Sequence, residues 1–234
     1  QGLGRNNRQA FFALMEEQGM NKINYQKELE KTLASLGDKV PHLLLHACCA
    51  PCSSYVLEYL SDYYEITVLY YNPNISPEEE YITRANEERR LIESQPHKHP
   101  VHFIMGEYEP QKFYAAVRGL ENEPECGKRC KICYEMRLRK AAEVAREINA
   151  DCFTTSLTVG PLKDGQVMNE MGAKIEAETG IPYLRSDFKK KNGYLRSIEL
   201  SKEYNLYRQN YCGCIFSKMA REKEESEKGS DLLG

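Results

Sequence analysis

The chain reads as an α/β protein, an open parallel sheet flanked by helices, with a helical segment at each end. Three observations predict it. Short runs of continuous apolar, β-branched or aromatic residues recur, such as His42-Leu43-Leu44-Leu45-His46-Ala47 and Glu65-Ile66-Thr67-Val68-Leu69-Tyr70-Tyr71, the pattern of strands buried on both faces. Longer helix-forming stretches alternate with them, and parallel strands need such crossovers. The apolar share, 41% of 234 residues, suffices for one substantial core.

The elements follow in order. Residues 1–37 carry one or two amphipathic helices, at 9–18 and 25–36, ending at Gly37. Strand one is the run from His42 and stops at Cys48. A helix over 53–63 starts near Ser53 or Ser54. Strand two covers 65–71 and is closed by Asn72-Pro73-Asn74. Ser76-Pro77-Glu78-Glu79-Glu80 is a helix start with Ser76 as cap, Pro77 at the first position and acids in the first turn. That helix runs to Ser94. Strand three is Val101-His102-Phe103-Ile104-Met105, followed by helices over 110–118 and 131–148. Strand four is 151–156, a helix over 166–179 ends at Gly180, and strand five lies at 181–184. Residues 197–228 are helical around a turn at Cys212 and Cys214, then run into a charged tail.

Net charge is −3, which argues against a protein that coats nucleic acid but allows a local basic patch. No run approaches the ~18 apolar residues of a membrane span, and no export signal is visible from Gln1 onward. A cytoplasmic location without membrane partners is the expectation. Clustered cysteines there more often serve metal binding or redox catalysis than a disulfide framework.

The chain has nine cysteines. Cys48, Cys49 and Cys52 follow strand one, Cys130 and Cys133 form a second CxxC, and Cys212 and Cys214 form a CxC. Soft thiolates in convergent groups select zinc, copper or iron–sulfur centres. Ligands bind at the carboxyl ends of parallel strands. Cys48 to Cys52, Asn72 and Asn74, and the segment from Thr154 to Lys163 all follow strand ends and would share one rim.

Cys49-Ala50-Pro51-Cys52 at a strand-to-helix turn also suits a dithiol oxidoreductase, although Cys48 and the second CxxC fit that reading poorly. Paired CxxC motifs also mark structural zinc, here in a zinc-stabilised RNA-binding module. The gap between the pairs is longer than in zinc ribbons, and the clustered sulfurs exceed one tetrahedral site. The excess points to a cluster plus a second metal, or a cluster plus a redox-active pair at Cys212 and Cys214, where a disulfide could form. Cys130 and Cys133 sit at a helix start, which stabilises thiolates. Cys126 is a ligand or a bystander, and Cys152 is a buried apolar residue. His46 is a structural histidine or a ligand; His97, His99 and His102 have surface or packing roles.

Basic and aromatic residues gather near the same motifs. Tyr81, Arg84, Arg129, Lys189, Lys190 and Arg208 suit phosphate contact and base stacking on RNA. With Asn72, Thr154 and Thr155 on the strand-end rim, they are the candidate substrate contacts.

The ordered motifs resemble the QueH family, the cobalamin-independent epoxyqueuosine reductases of tRNA queuosine synthesis. The matching pieces are His46-Ala47-Cys48-Cys49-Ala50-Pro51-Cys52, Tyr71-Asn72-Pro73-Asn74-Ile75, Glu80-Tyr81-x2-Arg84, Arg129-Cys130-x2-Cys133-Tyr134-x2-Arg137-Leu138, Phe153-Thr154-Thr155-Ser156-Leu157, Asp187-Phe188-Lys189-Lys190-x2-Gly193 and Tyr207-Arg208-Gln209-Asn210-Tyr211-Cys212-Gly213-Cys214. They run in order over most of the chain. The resemblance implies a Rossmann-like fold related to the nucleotide α-hydrolase group, a 4Fe–4S cluster and an adjacent mononuclear iron. The seven clustered cysteines would share the ligation. The implied substrate is epoxyqueuosine at the wobble position of tRNA, the product queuosine, and the co-reactant an unidentified low-potential electron donor. Removing the epoxide oxygen takes two electrons and two protons, with iron as Lewis acid and electron relay. Asp187 and Tyr211 are the candidate proton donors. No Ser-Gly-Gly-x-Asp-Ser loop follows strand one; Cys48 to Cys52 stand in its place, which argues against ATP binding. On this reading residues 1–37 form an N-terminal helical segment, 38–216 an α/β metal-binding catalytic domain, and 217–234 a polar C-terminal tail.

Overall fold

Four parallel strands in the order β3-β2-β1-β4 form the sheet: β1 (His42–Ala47), β2 (Glu65–Tyr70), β3 (Val101–Met105) and β4 (Cys152–Thr155). The computed structural model describes residues 23–231; the helix expected over 9–18 lies outside them. Helices α1 (Tyr25–Ser35), α2 (Ala50–Leu60), α3 (Glu78–Ser94), α4 (Pro110–Ala116), α5 (Lys128–Glu147), α6 (Gly165–Thr179), α7 (Gly193–Glu203) and α8 (Ile215–Asp231) surround it. None of the described helices is long and apolar enough to cross a membrane.

The unbroken apolar run of β1 is explained by burial on both faces. Leu43, Leu45 and Ala47 pack with Val56, Leu57 and Leu60 of α2 and with Leu29 and Leu33 of α1. Leu44 points the other way, into Leu138, Ala141, Ala142 and Ala145 of α5 and Ile175 of α6. The register is tight at the carboxyl ends: Ala47 pairs with Tyr70 and His46 with Thr155. The segments starting at Cys48, Tyr71 and Ser156 therefore leave the sheet at one level.

Three expectations are corrected. The fifth strand is a single bridge between Phe153 and Tyr183. Phe153 donates to Pro182 O at 2.9 Å and accepts from Leu184 N at 2.9 Å, but Pro182 has no N–H with which to extend a ladder. Pro77, not Ser76, occupies the cap position of α3, ahead of Glu78, Glu79 and Glu80 in the first turn. Helices α2 and α5 begin about one turn earlier than expected, at Ala50 and Lys128. That places Cys52 and Cys130 inside helices instead of before them.

The α2–α7 contact tolerates no side chain at Gly193. A Cβ there would lie 1.9 Å from Phe188 O and 2.3 Å from Tyr55 Cε1. Because the first obstacle is backbone, Gly193→Ala should cost more than ~3 kcal/mol, beyond ordinary overpacking. A urea midpoint equal to that of the unsubstituted protein would refute this.

Candidate metal and active site

At the carboxyl ends of the strands lies a cavity of about 360 Å³. Cys48, Cys49 and Cys52 form one wall, with Cys212, Tyr211 and Arg208 from the segment between α7 and α8, Arg84 of α3, Asn72 and Arg137.

The first cysteine group is built by the β1–α2 turn. Cys49 is the extended cap residue of α2 (φ −173°), and Pro51 sits in the first turn, where its missing N–H is not needed. Ser53 Oγ donates back to Cys49 O at 3.1 Å. Cys48 N donates to Ser156 Oγ at 3.3 Å, tying the turn to the end of β4. The three sulfurs lie within 4.8 Å of one another and can hold a metal ion. Hydrogen bonds from Cys48 and Cys52 favour the Cys49 thiolate, lowering its pKa well below the usual thiol range. Those same contacts, with burial, push Cys52 well up.

The second group lies on α5. Cys130 packs with Tyr134, Leu157, Met168 and Cys48. Cys133 and Cys214 share a buried cluster with Phe113 and Val117. Burial pushes the Cys133 thiol up to about 12, so it joins a metal centre only by releasing its proton. The Cys212–Cys214 loop needs its central glycine. Gly213 has φ +117°, and a Cβ there would meet Arg84 Nη1 at 2.9 Å and Ile75 Cγ1 at 3.0 Å. Arg84 Nη1 donates to Cys212 O at 3.2 Å, while its Nε pairs with Glu80 at 2.7 Å. All nine thiols are free.

Two polar links hold the rim in shape. Asn72 Nδ2 donates to Ala47 O at 2.9 Å, and Asn72 Oδ1 accepts from Arg137 Nη1 at 3.3 Å. His46 is fully buried, with Nε2 3.1 Å from Tyr71 O and Nδ1 2.9 Å from Thr155 Oγ1. A carbonyl only accepts, so Nε2 carries the hydrogen and Nδ1 accepts from the threonine. Burial, then the Arg137 charge, lowers His46 to about 4. With both nitrogens occupied, His46 is structural.

Asp187, Lys189 and Lys190 line a neighbouring hollow that shares Pro161, Leu162 and Lys163 with the first. Lys189 Nζ lies 3.5 Å from Asp187 Oδ1.

Four expected RNA contacts face inward and line neither hollow. Tyr81 is fully buried against Tyr70 and Tyr108, its hydroxyl donating to Gly106 O at 2.8 Å. Thr154 donates to Leu184 O at 2.9 Å, and Thr155 serves His46. Arg129 Nη1 reaches Leu120 O, Glu121 O and Glu123 O, and its guanidinium stacks over Phe216 at 4.6 Å. Of the other cysteines, Cys126 is exposed, with its N–H on Cys130 Sγ at 3.3 Å. Cys152 is half-buried against the core.

Among the cavity residues absent from the candidates are Arg137 and Lys163. Arg137 follows Cys130 and Cys133 at helical spacing, a signal that puts it on their face. Lys163, in a loop, gives no such signal; its Nζ lies 3.7 Å from Cys212 Sγ and 3.3 Å from Glu125 Oε1.

Residues 43–220 match the family model described as epoxyqueuosine reductase QueH. Among curated proteins, the epoxyqueuosine reductase QueH of Staphylococcus epidermidis is 44% identical over 205 residues, covering 85% of this chain and 86% of the relative. That of Streptococcus pyogenes serotype M1 is 42% identical, covering 84% and 78%. That of Thermotoga maritima is 33% identical, covering 79% and 94%. With the matched region spanning the sheet and all three cysteine groups, the chain belongs to the epoxyqueuosine reductase QueH family.

Proposed function

We propose that this protein reduces epoxyqueuosine at the wobble position of tRNA to queuosine. The observation that carries the reading is the grouping of Cys48, Cys49 and Cys52, with sulfurs within 4.8 Å, on one cavity with Cys212 of the α7–α8 segment, and with Cys130 of α5 packed against Cys48, in a chain of this family. The reaction adds two electrons and two protons to the epoxide, breaks both of its C–O bonds, and leaves an alkene and water. The electrons come from an external low-potential donor. Family membership favours this over the dithiol oxidoreductase and the zinc-stabilised RNA-binding module.

The donor set fits an iron–sulfur centre: buried and half-buried thiols, with no carboxylate among the three sulfurs that lie within 4.8 Å. Cys48, Cys49, Cys52, Cys130, Cys133, Cys212 and Cys214 would hold a 4Fe–4S cluster and an adjacent iron. When bound, these supply single electrons and Lewis acidity toward the C–O bond.

The chain's own residues bind and orient. A cavity of about 360 Å³ is within the range that encloses a small ligand, which suits a nucleoside turned out of its stack. Arg208 is exposed at the mouth, Nη1 donating to Ser201 Oγ at 3.1 Å, and Lys190 is exposed at the adjoining hollow. Their exposed positive charge suits contact with backbone phosphates. Tyr211 lies under the Arg84 guanidinium at 5.2 Å, and burial raises its phenol, so it keeps a proton to give. Asp187 is the second proton candidate, beside Lys189.

The test is anaerobic incubation of the iron-loaded protein with epoxyqueuosine tRNA and a strong low-potential reductant. Nucleoside mass analysis should show loss of one oxygen. Unchanged nucleoside from fully loaded protein would overturn the reading.

A further inference from the structure

Arg137 is a buried charge without the usual partner. It is 1% exposed. Nε donates to Cys133 O at 3.1 Å, Nη1 to Asn72 Oδ1 at 3.3 Å, and Nη2 has no partner. The other two cations of the cavity wall nearest the sulfurs have carboxylates: Arg84 has Glu80, and Lys163 has Glu125. Among the described residues no carboxylate pairs with Arg137. An isolated ion in a protein interior costs several kcal/mol unless negative charge offsets it. The groups whose charge bears on Arg137 are Cys133, Cys212, Cys48 and Tyr134. Burial raises the Tyr134 phenol, so it stays neutral. The remaining source of negative charge is sulfur from all three cysteine groups, whose thiols give up their protons on binding metal.

We propose that Arg137 is the fixed counter-charge of the cysteine-held metal centre and sets that centre's reduction potential. The inference rests on the metal reading above. A metal bound by several thiolates keeps net negative charge, and reduction adds to it. A guanidinium stays protonated at any working pH. Its charge in this low-dielectric site favours the reduced state. Arg137 acts through the centre as a positioning residue. Lys163, 3.7 Å from Cys212 Sγ but paired with Glu125, adds a smaller contribution of the same sign.

The test is a dye-mediated redox titration of the anaerobically purified, iron-loaded protein, followed by absorbance and electron paramagnetic resonance. In Arg137→Gln the ratio of reduced to oxidised centre at a fixed donor potential should fall about tenfold, a shift of about 59 mV to more negative potential. Arg137→Lys should stay close to the unsubstituted protein, and Lys163→Met should shift in the same direction by less. Lys163 sits at the rim, so Lys163→Met carries the test if Arg137→Gln does not fold. Unmoved midpoints at full iron content overturn the proposal. So does a raised KM for tRNA with an unmoved midpoint, which would make Arg137 a substrate contact. An unsubstituted protein with no reducible iron overturns the metal reading itself, and this inference with it, before any variant is made.

Discussion

Serine in place of Cys49 is expected to lower bound iron and reductase turnover by at least about 100-fold, since losing even an outer-shell partner of a metal costs 10–100-fold. Cys49 lies at the centre of the first cysteine group. Its sulfur is 3.8 Å from that of Cys48 and takes the negative charge that the other two thiols favour. A hydroxyl in its place is a harder donor that does not ionise near neutral pH. Cys130→Ser and Cys133→Ser should likewise lose cluster absorbance. Cys152→Ser, outside the cavity, should keep its iron. Full iron content in Cys49→Ser would remove Cys49 from the ligand set.

The second large effect concerns stability. Glu88 of α3 is fully buried and neither carboxylate oxygen has a hydrogen-bond partner. Burial raises its carboxyl from the ordinary 4.5 to about 8. Between those values the native state keeps the proton and the unfolded chain releases it. Ionisation then favours the unfolded chain, so stability falls as pH rises from 4.5 towards 8 and levels off above. The ceiling on this loss is ~5 kcal/mol at 1.36 kcal/mol per pH unit. Glu88→Gln keeps the shape and stays neutral. It should flatten the slope and be the more stable protein at pH 8. Parallel pH dependences in urea unfolding, with both proteins in the same state of metal loading, would show that Glu88 is not the group responsible.

Strands β1 and β2 were readable because they are buried on both faces and so appear as nearly continuous apolar runs, and the half-exposed edge strand β3 by its β-branched and aromatic residues. The ends of helices were less so. Helix α5 starts at Lys128, where Gly127 caps it without a side chain, so the usual polar cap signal is missing. The bridge at Tyr183 looked like a strand because β propensity says nothing about the missing amide of Pro182. Within the site, the cysteines announced themselves by type and spacing. Arg84 and Tyr81 carried the same motif, yet one lines the cavity and the other is sealed beneath it. One-dimensional spacing fixes a helix face but not the depth at which a residue on that face sits. Glu88 shares that face, and its charge disguised a buried position. Lys163 belongs to a loop with no periodicity to read.

The neutral imidazole of His46 has a wider consequence. It is a rigid ring bonded to the end of β4 on one side and to the segment after β2 on the other. It therefore acts as a spacer, fixing how far apart the roots of three loops stand. The residues that meet substrate can vary along those loops while the roots keep their separation. A substitution at His46 would disturb the Cys48, Cys49 and Cys52 turn without removing a sulfur, and its effects would resemble those of a ligand mutation.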